Sequence, residues 1–148
     1  MGTAKEYLCQ IIRYDTQINN KLAEVGRLSD LLTRVTPVLK EDGTSHGGGS
    51  QDRMAEGVAK LVDLKEELNR DIERLTDLKK AAYDLLNQVE NERYMDVLHR
   101  RYFLHQSFEQ IAVDLGYTYR NVCYIHGKAL VAFGEVLDEE RKAENEKE

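Results

Sequence analysis

Apolar residues recur every three or four positions along two long stretches of the sequence, and this repeat constrains the fold more than any other feature. The first stretch runs from about Ala4 to Leu39 and the second from about Gln51 to Val89. The inward positions are Leu8, Ile11, Ile18, Leu22, Val25, Leu32 and Val35 in the first, and Met54, Val58, Leu61, Leu68, Ile72, Leu75, Ala82, Leu86 and Val89 in the second. Such a sustained heptad seam predicts two long amphipathic helices that pack as a coiled coil.

The segment between these helices, EDGTSHGGGS, is polar and rich in glycine. It cannot bury enough apolar surface to offset the entropy of ordering it, so residues 41–51 are predicted to form a flexible connector. A short connector between two matched seams favours an antiparallel arrangement of the helices. We therefore expect an all-α fold in which residues 1–91 form a long coiled-coil hairpin.

Several apolar residues lie beside the two seams, where an isolated hairpin would leave them exposed. They are Tyr7, Ile12, Leu28, Leu31, Leu64, Leu78 and Leu85. A second seam of this kind favours a homodimer through the hairpin, in the form of a four-helix bundle. The alternative is that these residues pack against the C-terminal part of the chain.

A different pattern occupies SFEQIAVDLGYTYRNVCYIHGKAL, from Ser107 to Leu130. Ser107 is a candidate N-cap, with Gln110 placed to complete a capping box. Gly116 suits the left-handed conformation that ends a helix, and Thr118 is placed to cap the next one. A short helix, a glycine turn and a longer helix with a polar outer face make a helix-turn-helix, whose second helix can enter the major groove of DNA.

The flanking segments complete this module. NQVENER is a predicted joint in which Glu90 or Asn91 caps a third helix, Arg93 to Leu104. The second helix of the helix-turn-helix keeps its apolar period to about Glu140. The predicted module thus spans residues 92–137, and the charged residues 138–148 are predicted to form a frayed, solvated tail.

The segment from Ser107 to Leu130 resembles region 4 of bacterial sigma factors, the part of that family that reads the promoter −35 element. The positions that carry the resemblance are Ser107, Phe108, Glu109, Gln110, Ile111, Ala112, Leu115, Gly116, Thr118, Val122, Ile125, Lys128, Ala129 and Leu130. The helix before it, which contains LHRRYF, resembles the segment that precedes the sigma-factor turn. With its long hairpin, the whole chain also resembles the small sigma-like transcription regulators of phages and prophages.

This resemblance implies a transcription regulator that binds double-stranded DNA in the cytoplasm of a bacterial host. At the start of the second helix, the residues expected to face bases are Tyr119, Arg120, Asn121, Cys123 and Tyr124. The residues better placed for backbone phosphates are Ser107, Thr118, Lys128 and Arg101. Sigma factors often carry Arg, Glu, Arg and Gln at the outer positions, which differ here, so we do not expect the family's DNA sequence to carry over. Arginine can still read guanine, and asparagine adenine.

Charge limits how strongly the chain can bind nucleic acid by itself. The net charge is −6 at pH 7. Residues 1–92 hold 13 basic and 17 acidic side chains, residues 93–137 hold 5 and 4, and residues 138–148 hold 3 and 6. The predicted DNA-binding module is thus the least acidic part without being strongly basic. We expect weak intrinsic DNA affinity that needs a dimer, a second protein or RNA polymerase.

Other kinds of chemistry find little support in the sequence. His46, His99, His105 and His126 form no pair at metal-ligand spacing, and GGGS lacks the lysine of a phosphate-binding loop. We therefore predict no enzyme, cofactor or metal site, and no apolar run approaches the roughly 18 residues of a membrane span. Two alternatives remain. One is a module that binds RNA polymerase or another regulator without reading DNA, and a more remote one is a small terminase-like DNA-packaging subunit.

Overall fold

Every regular element in the described part of the chain is helical in the computed structural model. It describes residues 2–41 and 48–148, with side chains for residues 2–34 and 51–148. Within those ranges there are five α-helices, one π-helical turn and no strand. In chain order they are α1 (Ala4–Glu41), α2 (Gly48–Leu86), α3 (Glu92–Leu98), the π turn (His99–Phe103), α4 (Phe108–Leu115) and α5 (Tyr119–Lys147). The predicted all-α class is confirmed.

The two long helices extend further toward each other along the sequence than predicted. α1 continues past Pro37 to Glu41, and α2 begins at Gly48, inside the predicted connector. A proline removes one backbone donor, but the hydrogen bonds on either side of it can continue the helix. The centre of the predicted flexible connector, residues 42–47 with His46, lies outside the described residues.

Packing divides the chain into two compact units. The terminal unit combines Met1–Tyr14 with Leu75–Glu148, and the arm unit is Asp15–Arg74. The predicted domains divide the chain elsewhere, after residues 91 and 137. They stay predictions, because packing alone does not establish which segments act independently.

Within the arm unit, an ion pair and a close backbone approach join α1 to α2. Lys21 Nζ donates a hydrogen bond to Asp71 Oδ2 and lies 3.6 Å from Glu67 Oε2. The hydrogen bond to Asp71, which is only 7% exposed, raises the pKa of Lys21. A Cβ at Gly57 would lie 2.8 Å from Leu32 Cδ2, so only glycine fits without a shift of that side chain. Lys21 of α1 contacts Asp71 of α2, whereas the later residue Leu32 contacts the earlier residue Gly57. The two helices therefore run antiparallel here.

The predicted seam of the arm unit is only partly buried. Ile18 and Leu68 are 7% and 6% exposed, as an inward position requires. Leu22, Val58 and Ile72 are instead 49%, 46% and 41% exposed, so packing within the single chain does not bury these three seam positions. A straight α-helix drifts by about 20° per heptad relative to a strict seven-residue repeat, and this drift moves some seam positions outward.

Within the terminal unit, the first turns of α1 pack against the second half of α5. The ring centroids of Tyr7 and Phe133 are 5.8 Å apart, and Phe133 is fully buried. Arg141 Nη1 donates a hydrogen bond of 2.9 Å to the backbone oxygen of Gly2. Tyr7, one of the apolar residues beside the predicted seam, therefore packs against the C-terminal part of the chain, as the alternative to a dimer contact predicts.

The predicted third helix is present but changes its geometry midway. Asn91 Oδ1 accepts hydrogen bonds from the backbone N–H groups of Arg93 and Tyr94, at 2.9 and 3.4 Å, which confirms the predicted cap. α3 then passes into the π turn, in which the Leu104 N–H donates to the His99 oxygen at 3.2 Å. A single α-helix from Arg93 to Leu104 is therefore the wrong description of this segment.

The π turn buries two consecutive aromatic side chains. Tyr102 and Phe103 are 2% and 6% exposed. Arg100 is half-buried: its Nε donates to Asp96 Oδ1 at 2.9 Å, and its Nη1 lies 3.5 Å from Asp114 Oδ2. These contacts connect the π turn to α3 and α4.

The charged C-terminal residues are helical and almost all exposed, so the tail is solvated as predicted but is not frayed. α5 continues from Tyr119 to Lys147. Leu137 is 4% exposed, and the hydrogen bond from Arg141 to Gly2 holds the next turn in place. The residues beyond Arg141 are mainly Glu and Lys with one Ala, and these residue types favour helix even where nothing packs against them.

Candidate nucleic-acid interface

Two helix caps and one glycine turn set the path of the chain through α4 and α5. Ser107 Oγ accepts a hydrogen bond of 3.1 Å from the Gln110 N–H at the start of α4. Gly116 ends α4 with φ 70°, in the left-handed region where a side chain is strained. Thr118 Oγ1 accepts a bond of 3.1 Å from the Asn121 N–H and begins α5. The predicted caps and the predicted glycine turn are confirmed.

One detail of the predicted capping box differs. The Gln110 side chain donates from Nε2 to Asp114 Oδ1 at 2.8 Å, one turn further along α4. Of the two hydrogen bonds that make a capping box, the one that Ser107 Oγ accepts is therefore present at the start of α4.

A small apolar core fixes the inner face of α5 against α3 and α4. It consists of Val97, Ile111, Ala112, Val122 and Ile125, all at most 7% exposed. Partly buried apolar residues that pack against it are Tyr94, Phe108, Leu115 and Tyr117. Because Val122 and Ile125 point into this core, the residues on the opposite side of α5 point outward.

The first turns of α5 present most of the predicted base-facing residues to solvent. Arg120 and Asn121 are exposed, and Tyr119 and Tyr124 are 51% and 64% exposed. Both tyrosine side chains are therefore accessible to a ligand. Cys123 is the exception among the five, because its side chain is half-buried.

Tyr119 and Cys123 interact with each other across one turn of α5. A hydrogen bond with the Cys123 thiol raises the pKa of the Tyr119 hydroxyl, and the charges of Cys123 and Glu109 add to this effect. The Tyr119 ring also lies edge-on to Phe108, with 6.5 Å between centroids. Tyr119 is thus less free to turn toward a ligand than Arg120 or Asn121.

The predicted phosphate-facing residues are not equivalent. Ser107 and Thr118 are exposed, although each hydroxyl oxygen already accepts a capping hydrogen bond. A hydroxyl that accepts one bond still has its own hydrogen to donate. Lys128 is exposed, and its Nζ lies 5.6 Å from the centroid of the Tyr124 ring.

Arg101 is held by contacts within the chain. Its Nη1 donates a hydrogen bond of 3.1 Å to the backbone oxygen of Gln106. Its guanidinium carbon lies 4.5 Å from the centroid of Phe108, in a cation–π arrangement. This half-buried arginine therefore positions the loop before α4 and contributes positive charge near the candidate interface.

His126 is half-buried on α5. Its Nε2 lies 2.8 Å from the Tyr102 hydroxyl, and its ring contacts Phe108 edge-on at 4.8 Å. Burial, together with the charges of Arg101 and Lys5, lowers the pKa of His126. Burial raises the pKa of Tyr102 to about 12.

Sequence reasoning missed the central part that Phe108 plays in this arrangement. Its ring contacts Arg101, Tyr119 and His126 at once. An apolar residue after an N-cap predicts burial, but the sequence gives no sign that three polar side chains meet on that ring. Sequence reasoning also missed Gly127, which is exposed two turns into α5.

Searches for two other kinds of site give negative results over the described ranges. Residues 2–41 and 48–148 contain no cluster of three His, Cys, Asp or Glu side chains arranged to hold a metal ion. In the same ranges, no helix has both the length and the apolar character that crossing a bilayer requires.

Comparison with known proteins leaves the interface to be interpreted from its own geometry. No protein-family model, no curated protein and no solved structure matches this chain.

Proposed function

We propose that this chain is a sequence-specific, DNA-binding transcription regulator of the phage and prophage type. In this proposal the sigma region 4-like module docks α5 in the major groove of promoter DNA. Arg120 and Asn121 read base edges, with Tyr124 beside them, and Lys128 binds a phosphate. The proposal adds no catalytic step and no cofactor.

The observation that carries the proposal is the exposure of Arg120 and Asn121 on the first turn of α5. The Thr118 cap and the core beneath Val122 hold this turn in place. A recognition helix contacts base edges mainly through residues near its N-terminus. Arginine with guanine and asparagine with adenine are the bidentate pairs that major-groove geometry favours.

We further propose that the protein acts as a homodimer through the predicted coiled-coil hairpin. Support comes from large apolar side chains of the arm unit that remain exposed in the single chain. They are Leu22 at 49%, Leu31 at 42%, Val58 at 46% and Val62 at 48%. Two linked modules would compensate for the nearly neutral charge of each one, because binding the first half-site raises the local concentration for the second.

A second candidate function is an interaction module that binds RNA polymerase or another regulator and reads no base. Two observations favour it: the net charge of −6, and the 77% exposure of Val113 on α4. Acidic proteins gain little from the counterion release that drives binding to DNA. A large apolar side chain on the outer side of a helix suits a protein partner better than a phosphate backbone.

One experiment distinguishes the two candidate functions. Duplexes selected from a randomised pool, and the DNA upstream of the protein's own gene, are titrated by fluorescence anisotropy at low and physiological salt. The wild type is expected to enrich a defined sequence and to bind it tighter than a scrambled duplex. Arg120→Ala is expected to lose most of that preference, since a good bidentate pair discriminates by about 1–3 kcal/mol.

The matched control is Arg70→Ala, which removes the same charge from an exposed position in the arm unit. It is expected to bind like the wild type. If the wild type enriches no sequence but is retained on an RNA polymerase column, the interaction module replaces the DNA-reading proposal.

A further inference from the structure

Gly127 is an exposed glycine in the interior of α5, where the chain itself gives no reason for it. A Cβ built on Gly127 meets no atom within 4 Å apart from the helix's own backbone. Glycine inside a helix is less favourable than alanine, because it loses more conformational freedom on folding. By contrast, Leu32 explains Gly57, and a positive φ explains Gly116.

An open surrounding does not by itself mark a binding position, since Gly26 in α1 also has nothing within 4 Å. The neighbours of Gly127 are what distinguish it. One stripe along α5 contains Gly127 together with Arg120, seven residues before it, Tyr124, three before it, and Val131, four after it. Tyr124 and Val131 are 64% and 63% exposed, which leaves bare helix backbone between two projecting side chains.

The charge beside this gap favours a polyanion. Arg120 precedes the gap on the same stripe, and exposed Lys128 follows Gly127 directly in sequence. The first carboxylate that follows along α5 is Glu135, about two turns further on. Along α5 itself, a phosphate backbone that approached the helix at Gly127 would therefore lie nearer to Arg120 and Lys128 than to a carboxylate.

The position along the helix also fits a groove wall. At about 1.5 Å per residue, Gly127 lies about 10 Å beyond Arg120 along the axis. The major groove is about 12 Å wide, so a helix whose start reaches base edges meets a sugar–phosphate wall at about this distance. A missing side chain there allows the closest approach of the two backbones.

We propose that Gly127 is a DNA-contact position, at which one strand's sugar–phosphate backbone packs against α5 between Tyr124 and Val131. This inference rests on the proposed DNA-binding function and adds a residue to its interface. The contact uses the absence of a side chain, whereas Lys128 beside it supplies the charge that pairs with the phosphate.

The test compares Gly127→Ala and Gly127→Gln with Gly26→Ala and Gly26→Gln in the full-length protein. All four changes are expected to leave the thermal midpoint unchanged or raise it, because both new residues favour helix. Only the Gly127 variants are expected to bind the selected duplex more weakly, by about threefold for Ala and about tenfold or more for Gln. Their plots of log affinity against log salt should also lose about one phosphate contact in slope.

Each outcome has a distinct meaning. Equal DNA affinity and salt slope for the wild type and both Gly127 variants would overturn the inference and leave the DNA-binding proposal standing. A wild type that binds no duplex would overturn the DNA-binding proposal itself, and this inference with it. Gly127 variants that bind DNA normally but are lost from an RNA polymerase column would assign the gap to a protein partner and overturn the DNA contact.

Discussion

The Tyr102 hydroxyl lies 2.8 Å from Nε2 of His126, and this contact joins the π turn to the middle of α5. The two rings also stack, with centroids 5.7 Å apart. Tyr102 is 2% exposed, so the hydrogen bond lies where water cannot easily replace it. A buried tyrosine and a half-buried histidine therefore form a polar pair behind the helix face that presents Arg120 and Tyr124.

This pair predicts that the protein becomes less stable as pH falls through the titration range of histidine. The pKa of His126 is lowered from its ordinary 6.5 by burial and by the charges of Arg101 and Lys5. Below about pH 6.5 the unfolded chain takes up this proton more readily than the folded chain, so stability falls as pH falls. The wild type should therefore lose thermal stability between pH 7.5 and pH 5.5.

The measurement is the thermal midpoint across this pH range for the wild type, His126→Gln and His105→Asn. Glutamine places an amide nitrogen near the position of Nε2 and does not titrate, so His126→Gln should show a flatter pH dependence. His105 is exposed with φ 57°, which asparagine tolerates, so His105→Asn is the matched control for the loss of an imidazole. Equal slopes for all three proteins would contradict the prediction.

The glycine turn between α4 and α5 predicts a graded loss of stability. Gly116 has φ 70° with open space around its Cβ position, so any cost of a substitution comes from the backbone and not from a clash. Gly116→Ala should lower the free energy of unfolding by about 1–2 kcal/mol, the cost of the left-handed conformation for an L-residue. Gly116→Asn should lose less, because asparagine visits this region more readily.

Urea denaturation monitored by circular dichroism measures both changes. Gly127→Ala is the internal comparison, since it adds the same methyl group within α5 where the backbone is helical. If Gly116→Ala and Gly127→Ala have the same effect on the free energy of unfolding, strain at the turn is not what Gly116 relieves.

Under the proposed function, Lys128 and Arg120 predict different changes in DNA binding. Lys128→Ala should weaken binding to all duplexes alike and reduce the slope of log affinity against log salt by about 1, because it removes one phosphate contact. Arg120→Ala should mainly reduce the difference between the selected and the scrambled duplex. Anisotropy titrations at several salt concentrations separate the two effects. A Lys128→Ala protein with an unchanged salt slope would exclude Lys128 as a phosphate ligand.

The arm unit predicts a concentration-dependent assembly. Val58 and Val62 lie one turn apart on α2 and are 46% and 48% exposed. If Val58 and Val62 pack against a second copy of the chain, a lysine at either position would bury a charge in that contact. Val58→Lys and Val62→Lys should therefore shift the protein toward monomer. Sedimentation equilibrium measures the shift. Asp63→Asn changes the charge by the same amount at an exposed position and should keep the wild-type association; a monomeric wild type would end the dimer proposal.

The parts of the fold that were predictable from sequence rest on short-range interactions. The caps at Ser107 and Thr118 each span three residues, and the turn at Gly116 depends on one residue's backbone freedom. Residue type at a fixed offset is enough to find such features. The exposure of Arg120 followed in the same way from the apolar period of α5.

The parts that were not predictable depend on residues far apart in the chain. His126 and Tyr102 are separated by 24 positions, and Arg141 and Gly2 by 139. The π turn also escaped prediction, because an apolar period fixes the inward face of a helix but not a change in its hydrogen-bond step. The charged tail was misjudged for a related reason: its composition suggests fraying, while its anchor lies at the opposite end of the sequence.

α5 carries the exposed residues of the candidate interface and also packs against the first residues of the chain. Its start carries Arg120 and Asn121, and its second half is fastened to the beginning of the chain through Phe133 and Arg141. α5 has 29 residues and is about 43 Å long, so one continuous helix joins these two sets of contacts. The contact at Gly2 and the exposed side chain of Arg120 are therefore connected through a single helix, although they lie toward its opposite ends.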